Sequence, residues 1–182
     1  MSRLLFIDTE TGGVDPDKHS LLSIGLVVWD SKQGEIYEKQ YYVRQKQYSI
    51  TKTAHQINKI ENDDLSQGML PKNIIEELHK IKDIYFMDYQ KIPLAGHNTQ
   101  FDVRFIKKIF SDNHRSFEKL FSHRILDTYS ILKYLYDSGK ISDKIESSAK
   151  AFSAFGIHVD KRHSALGDAK ATMQLYEKMI KL

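Results

Sequence analysis

Four acidic side chains and one histidine lie in short, separated segments of the 182-residue chain, in a pattern suited to holding divalent cations. Asp8 and Glu10 end an apolar run that leads into a glycine pair, which predicts a buried strand. Residues i and i+2 of a strand share a face, so the two carboxylates are expected side by side. Because buried carboxylates need a partner, they are either solvated strand-end acids or half of a metal site.

A further acid, Asp102, lies in the first turn of a helix predicted over residues 100–110. A short apolar strand precedes this helix, and Asn98 or Thr99 is expected to cap it. The helix dipole tolerates an acid at this position, which is one interpretation of Asp102. Its neighbour Phe101 favours another, in which the carboxylate points at the first strand. Asn98 has two interpretations as well: a cap, or a polar contact for substrate.

The last segment contains His163 and Asp168, at the start of a helix that runs towards the end of the sequence. Small neighbours such as Ala165 and Ala169 allow another element to approach closely, which favours an inward-facing Asp168. Histidine changes its protonation state near neutral pH, which suits a general base. The alternative for His163 is an exposed loop residue in a basic run.

Together these segments resemble those of DEDDh-type 3′–5′ exonucleases of the DnaQ-like superfamily, which includes the proofreading epsilon subunit, RNase T and oligoribonuclease. The matching motifs are Phe-Ile-Asp-Thr-Glu-Thr-Gly-Gly at residues 6–13, His-Asn-x-x-Phe-Asp at 97–102 and His-x-x-x-x-Asp at 163–168. The segment at residues 53–58 is also similar to the epsilon and RNase T branch. There the family commonly has glycine after the histidine, and this chain has Gln56.

The resemblance implies an active site with two Mg²⁺ or Mn²⁺ ions. It implies that His163 deprotonates the attacking water and that Asp8 is shared between the two ions. The implied metal ligands are Asp8, Glu10, Asp102 and Asp168, which with His163 form the catalytic set. The implied substrate contacts are Thr11, Gly12, His55, Asn98 and Phe101. Independently, two ions about 3.5–4 Å apart can stabilise both oxygens of an in-line displacement, and oxygen ligands favour Mg²⁺ or Mn²⁺ over zinc.

The apolar pattern predicts strands at residues 4–8, 22–29 and 36–43, whose short connections favour an antiparallel meander. Helices are expected at residues 73–86, 100–110, 128–136 and 147–155, and at the segment that carries Asp168. Further strands are expected before His97 and at residues 123–126. This order predicts an α/β fold with a mixed central sheet. The resemblance makes it an RNase H-like mixed five-stranded sheet flanked by helices, in a single exonuclease domain over residues 1–182.

The composition restricts the cellular setting. The 27 basic and 24 acidic residues give a formal net charge of only +3, which is well short of a polybasic nucleic-acid coat. Without cysteine, disulfides and thiolate metal sites are excluded. No signal peptide or membrane-length apolar run is evident, so we expect a cytoplasmic protein with no membrane partner.

The leading hypothesis is a metal-dependent exonuclease that releases nucleoside 5′-monophosphates from single-stranded 3′ ends, with DNA favoured over RNA. One alternative is a proofreading subunit or nucleic-acid-binding partner of a DNA polymerase. Another is an RNA-trimming exoribonuclease. A small-molecule phosphohydrolase is disfavoured, because Asp8-Thr9-Glu10 lacks the second aspartate expected in such enzymes.

Overall fold

A five-stranded sheet of order β3-β2-β1-β4-β5 forms the centre of the computed structural model, which describes residues 2–159 and 163–182. The strands are β1 (Arg3–Thr11), β2 (Leu21–Asp30), β3 (Gly34–Tyr42), β4 (Leu94–Gly96) and β5 (Leu126–Asp127). The first three strands pair antiparallel, so the predicted meander is confirmed. Strand β4 pairs parallel with β1, and β5 pairs parallel with β4. The predicted mixed five-stranded α/β sheet flanked by helices is confirmed.

Helices surround this sheet and connect its parallel strands. They are α1 (Lys52–Asn58), α2 (Asn62–Ser66), α3 (Pro71–Tyr85), α4 (Gln100–Asp112), α5 (Phe117–Leu120), α6 (Thr128–Asp137), α7 (Ser148–Ala154) and α8 (Ala165–Met179). Within the described ranges, none of the helices combines the length and the apolar character needed to span a bilayer.

The sheet is buried on both faces, and β1 illustrates how the sequence achieves this. Its side chains alternate, so Leu5 and Ile7 pack with the core under α3 and α4. Leu4 and Phe6 point the other way and pack with residues of α8. Burial on both faces explains why this strand is an almost continuous apolar run rather than an alternating one.

The parallel part of the sheet determines where a site can form. Since β1, β4 and β5 run in the same direction, their carboxyl ends meet at one edge of the sheet. Helix α6 begins immediately after β5, and α4 begins after a short turn that follows β4, at this same edge. Open α/β sheets generally bind ligands beyond the carboxyl ends of their strands.

Local predictions failed where elements are very short. The strand predicted over residues 123–126 is wrong in extent, because β5 comprises only Leu126 and Asp127. The four-residue helix α5 was not predicted. Neither element is long enough to give a periodic pattern, and both are stabilised by tertiary contacts: Leu126 pairs with Ala95, and Phe117 packs in the core.

Candidate active site

The first acidic pair lies at the carboxyl end of β1. Asp8 and Glu10 share one face of the strand; Asp8 is half-buried, and Glu10 is 9% exposed. In the neighbouring strand β2, Gly25 lies opposite Asp8 and Ser23 lies opposite Glu10. This face is the one covered by α8, so the two acids point towards the helix that carries Asp168.

His163 and Asp168 are held together by a tight turn before α8. Ser164 is the N-cap of α8, and its hydroxyl accepts a hydrogen bond from Gly167 N at 3.1 Å. His163 has a left-handed backbone conformation with φ +59°, and its main-chain N–H donates to Asp168 Oδ2 at 3.1 Å. Because of this turn, one ligand atom each from Glu10, His163 and Asp168 lie within 4.8 Å of one another.

Close packing of α8 on the sheet makes this convergence possible. A Cβ atom at Gly25 would lie 2.1 Å from the main-chain carbon and oxygen of Ala165, so the first turn of α8 rests directly on the glycine. Gln40 of β3, which lies opposite Gly25, accepts a hydrogen bond from Leu166 N at 3.0 Å through its side-chain oxygen. The sheet therefore satisfies one of the main-chain donors that a helix start leaves free.

Asp102 approaches β1 from the other side of the sheet. It lies in the first turn of α4, is 4% exposed, and accepts a 2.7 Å hydrogen bond from the Thr9 hydroxyl. Thr9 leaves β1 on the face opposite to Asp8 and Glu10. Asp102 thus contacts β1 at Thr9, the residue between Asp8 and Glu10, but lies outside the cluster formed by Glu10, His163 and Asp168.

Burial dominates the electrostatics of Asp102. It raises the pKa of this carboxyl from 3.8 to about 7, against the lowering effect of the hydrogen bonds from Thr9. The negative charge of Asp127 adds to the rise. In the absence of a cation, the site therefore favours a proton on Asp102, as expected for an acid removed from water.

The start of α4 is stabilised differently from the sequence prediction. Thr99 is the N-cap residue, but its side chain makes no capping hydrogen bond, and Asn98 has a left-handed backbone with φ +56°. The main-chain N–H groups of both residues instead donate to Asp127, each at 3.0 Å. The prediction that Asn98 or Thr99 is the N-cap residue is confirmed for Thr99, but the Thr99 side chain makes no capping bond, and a carboxylate from β5 holds this segment instead.

A mostly apolar cavity of about 340 Å³ opens beside Glu10. Of the predicted substrate contacts, Thr11 and Phe101 line it. Sequence reasoning missed Val14, Ile57 and Asn58, which also line it. The only signal in the sequence that could have indicated them is their position. Val14 directly follows the glycine pair, and Ile57 and Asn58 are the last residues of α1.

The remaining predicted contacts lie elsewhere. His55 is exposed on α1 and is not among the residues that line this cavity, and neither is Asn98. Gly12 is tied into the backbone, since its N–H donates to Ser20 O at 2.7 Å and its carbonyl accepts from Thr51 N at 2.7 Å. A Cβ on Gly12 would lie 2.0 Å from Ser49 O, so the absence of a side chain serves chain packing at this position.

A comparison with protein families identifies the family of this chain. The model of the RNase T family, described as an exonuclease, matches residues 5–176. The chain belongs to this exonuclease family. This match confirms the prediction that the chain is a member of the DnaQ-like 3′–5′ exonucleases. It also confirms the predicted enzyme class, a phosphodiester hydrolase.

Three proteins similar to this chain are longer than it. The 3′–5′ exonuclease DinG of Staphylococcus aureus strain MRSA252 is 27% identical over 187 residues, which cover 100% of this chain and 19% of that protein. Escherichia coli exonuclease I in complex with a dT13 oligonucleotide has a TM-score of 0.82 at 20% identity, over 100% of this chain and 41% of that one. Exonuclease I of Methylocaldum szegediense has a TM-score of 0.80 at 16% identity, over 100% and 40%.

The chain thus spans about a fifth of the DinG protein and about two fifths of the exonuclease I chains. At these identities the structural matches establish the shared fold.

The donor set of the exonuclease domain fits a divalent cation. Carboxylates brought together without a counter-ion repel one another, and Glu10 and Asp168 have ligand atoms within 4.8 Å. Carboxylate oxygens suit Mg²⁺ and Mn²⁺, whereas an imidazole such as that of His163 also suits zinc. One crystal structure of the Escherichia coli exonuclease I complex with single-stranded DNA is of its zinc-bound form.

Proposed function

We propose that this domain is a metal-dependent 3′–5′ exonuclease that removes nucleoside 5′-monophosphates from single-stranded ends, with DNA as the preferred substrate. One observation carries the proposal. Glu10, His163 and Asp168, which are distant in sequence, converge beside an apolar cavity at the carboxyl ends of the parallel strands. A site for phosphodiester hydrolysis needs this combination of cation ligands, a proton acceptor and a place for the terminal nucleoside.

The acidic residues would hold the cations. Asp8, Glu10 and Asp168 lie on the α8 side of β1, and Asp102 contacts β1 from the other side. In our proposal these four carboxylates bind two Mg²⁺ or Mn²⁺ ions, with Asp8 shared between them. Bound at this position, the ions would neutralise the negative charge that develops on the attacking and leaving oxygens.

His163 would act as the general base. Its side chain is exposed at the site, next to Glu10 and Asp168, where an attacking water can reach it. The water oxygen attacks phosphorus while His163 accepts a proton from the water, and the bond to the 3′ oxygen of the preceding nucleotide breaks. The leaving 3′ oxygen takes a proton from solvent and becomes the new 3′-hydroxyl of the shortened strand. The main-chain bond from His163 to Asp168 keeps the imidazole at the site during this transfer.

The apolar cavity would receive the terminal nucleoside. Its volume of about 340 Å³ lies within the range of small-molecule sites, which is about 300–1,000 Å³. Phe101 and Ile57 offer surfaces for a base, and contacts of this kind tolerate any sequence. Asn58 supports the cavity wall, since its side-chain amide donates to Thr11 O at 3.2 Å.

A digestion experiment tests the proposal. Purified protein is incubated with matched single-stranded DNA and RNA oligomers of several lengths in Mg²⁺ or Mn²⁺, and the products are sized. We expect stepwise shortening from the 3′ end with release of 5′-monophosphates, which chelation abolishes. Tight binding without cleavage would instead support a binding partner of a polymerase, and faster cleavage of RNA would support an exoribonuclease.

A matched pair of variants separates this site from a contaminating nuclease. Asp168→Asn should abolish cleavage, because the site loses a charged ligand at its centre. Asp137→Asn removes an equivalent charge from an exposed ion pair with Lys133 on α6, and its activity should equal that of the wild type. Equal activity of both variants would contradict the assignment.

A further inference from the structure

Asp127 connects the starts of two helices at the edge of the candidate site. Its Oδ1 atom accepts hydrogen bonds from Tyr129 N at 2.9 Å and from Asn98 N at 3.0 Å. Its Oδ2 atom accepts one from Thr99 N at 3.0 Å. The first bond caps α6, to which Asp127 is adjacent, whereas the other two reach residues 98 and 99 at the start of α4.

The start of α4 depends on this outside carboxylate. The side chain of its N-cap residue Thr99 makes no capping bond, and the backbone of Asn98 is left-handed. Asp127 accepts from the main-chain N–H groups of this N-cap residue and of the residue before it, and so holds the segment that leads into α4 from another strand. A charged acceptor also makes a stronger bond than a hydroxyl or an amide oxygen does.

Thr128 adds a second anchor to the same segment. Its hydroxyl donates to Gly96 O at 3.0 Å, and His97 Nδ1 lies 3.0 Å from that hydroxyl oxygen. Because the hydroxyl hydrogen is used on Gly96, His97 Nδ1 is the donor in the second bond. Residues 127 and 128 therefore hold the whole turn from Gly96 to Thr99.

The turn at residues 96–99 positions Asp102. It lies one helical turn beyond Thr99, and its main-chain geometry follows from the first turn of α4. Thr9 holds the Asp102 carboxylate from the β1 side. The location of the carboxylate is thus determined at one end by β1 and at the other by the turn that Asp127 holds.

We propose that Asp127 is a positioning residue of the exonuclease site, which sets the place of the Asp102 carboxylate and thereby the affinity of the site for its cations. This inference rests on the proposed function. Asp127 itself does not line the apolar cavity and acts through Asn98 and Thr99. If Asp127 were only the local cap of α6, its loss would affect α6 and leave the metal site unchanged.

The test uses Asp127→Ala and Asp127→Asn, with Ser147→Ala as the control. Ser147 caps α7 through Lys150 N, so its replacement removes a helix cap away from the site. The asparagine retains one oxygen, which can serve Asn98 and Tyr129 but leaves Thr99 N facing an amide group. For each variant, amide hydrogen exchange at residues 98 and 99, Mn²⁺ binding by calorimetry, and kcat and KM are measured at a temperature where all variants are folded.

For Asp127→Ala we expect faster exchange of the Asn98 and Thr99 amides, and Mn²⁺ affinity and kcat reduced about 10- to 100-fold with little change in KM. Asp127→Asn should lie between the alanine variant and the wild type, and Ser147→Ala should match the wild type. Wild-type Mn²⁺ affinity and kcat in Asp127→Ala would overturn the inference.

The exchange and calorimetry measurements do not require cleavage. If the wild-type protein binds Mn²⁺ but does not cleave oligomers, the proposed function fails while the role of Asp127 in the metal site is still tested. If the wild-type protein does not bind Mn²⁺ at all, both the proposed function and the proposed role of Asp127 are overturned.

Discussion

Asp102 and Asp168 are both buried acids in the first turn of a helix, yet their surroundings differ. Asp168 accepts a main-chain hydrogen bond from His163 and lies near Glu10. Asp102 accepts from Thr9 on the other face of β1, where burial raises its pKa to about 7. In our proposal cation binding must therefore displace a proton from Asp102 below neutral pH, which makes the metal affinity dependent on pH.

The raised pKa of Asp102 predicts how pH affects the metal-free protein. The folded state retains the proton up to about pH 7, whereas the unfolded chain releases it near 3.8. The stabilisation by protonation is fully present below pH 3.8 and is lost as the pH rises towards 7. As the pH rises from 3.8 to about 7, the Tm of the wild type should therefore fall relative to that of Asp102→Asn, which mimics the protonated acid. Parallel Tm curves for the two proteins, measured by thermal denaturation in chelator, would contradict this.

The role of His163 can be separated from metal binding. His163→Ala should reduce kcat by about 10²- to 10⁴-fold, because a general base is lost. If His163 is a base and not a ligand, the Mn²⁺ concentration for half-maximal activity should stay close to that of the wild type. A large rise in that concentration would instead make the imidazole a ligand, as its place in the cluster with Glu10 and Asp168 allows. His158→Ala, outside this cluster, serves as the control.

At the level of elements, the decisive contact is the one between α8 and β2. Asp8, Gly25 and Gln40 lie opposite one another across β1, β2 and β3, and the first turn of α8 crosses this row at Gly25. Lys170 adds ion pairs from α8 to Glu35 and Glu38 of β3. The helix that carries Asp168 is thus held at a fixed height above the sheet.

Gly25→Ala should therefore disrupt the site. The added Cβ would meet main-chain atoms of Ala165 and Leu166 at 2.1–2.4 Å, so the helix must move. A displacement of about 1 Å can cost about 10²-fold in rate, and we expect a loss of kcat of this order. The control is Leu135→Ala, a truncation of a buried side chain of α6 that should lower Tm but leave kcat unchanged in the folded protein. Near wild-type kcat in Gly25→Ala would show that α8 tolerates displacement.

At the level of the whole molecule, the site joins segments from both ends of the sequence. Residues 8–10 belong to β1, whereas residues 163–168 precede and begin α8, and α4 lies between them in sequence. A ligand that binds all of these segments should stabilise the fold, because the unfolded chain does not hold them together.

Metal addition should therefore raise Tm. At an Mn²⁺ concentration about 100 times Kd, the stabilisation is about 2.7 kcal/mol. For a chain of this size that corresponds to about 5–10 °C in Tm. The double variant Asp8→Asn, Asp168→Asn should show no such rise in the same thermal scan. An equal rise in the double variant would place the stabilising ion elsewhere.

The sequence alone predicted the exonuclease family and the main elements that carry the candidate site residues. A strand period of two residues brings Asp8 and Glu10 to one face, and helical periodicity identifies the helices that begin near Asp102 and Asp168. These relations are local, so the residue spacing is sufficient to predict them.

Only the tertiary structure decided which acids converge and what holds them. Asp127 and Asn98 are separated by 29 positions, and Gln40 and Leu166 by 126. No periodicity connects such pairs, because their contact depends on the order of the strands and on how closely α8 packs against Gly25. The same packing places His163 with Glu10 and Asp168, and leaves Asp102 on the opposite face of β1.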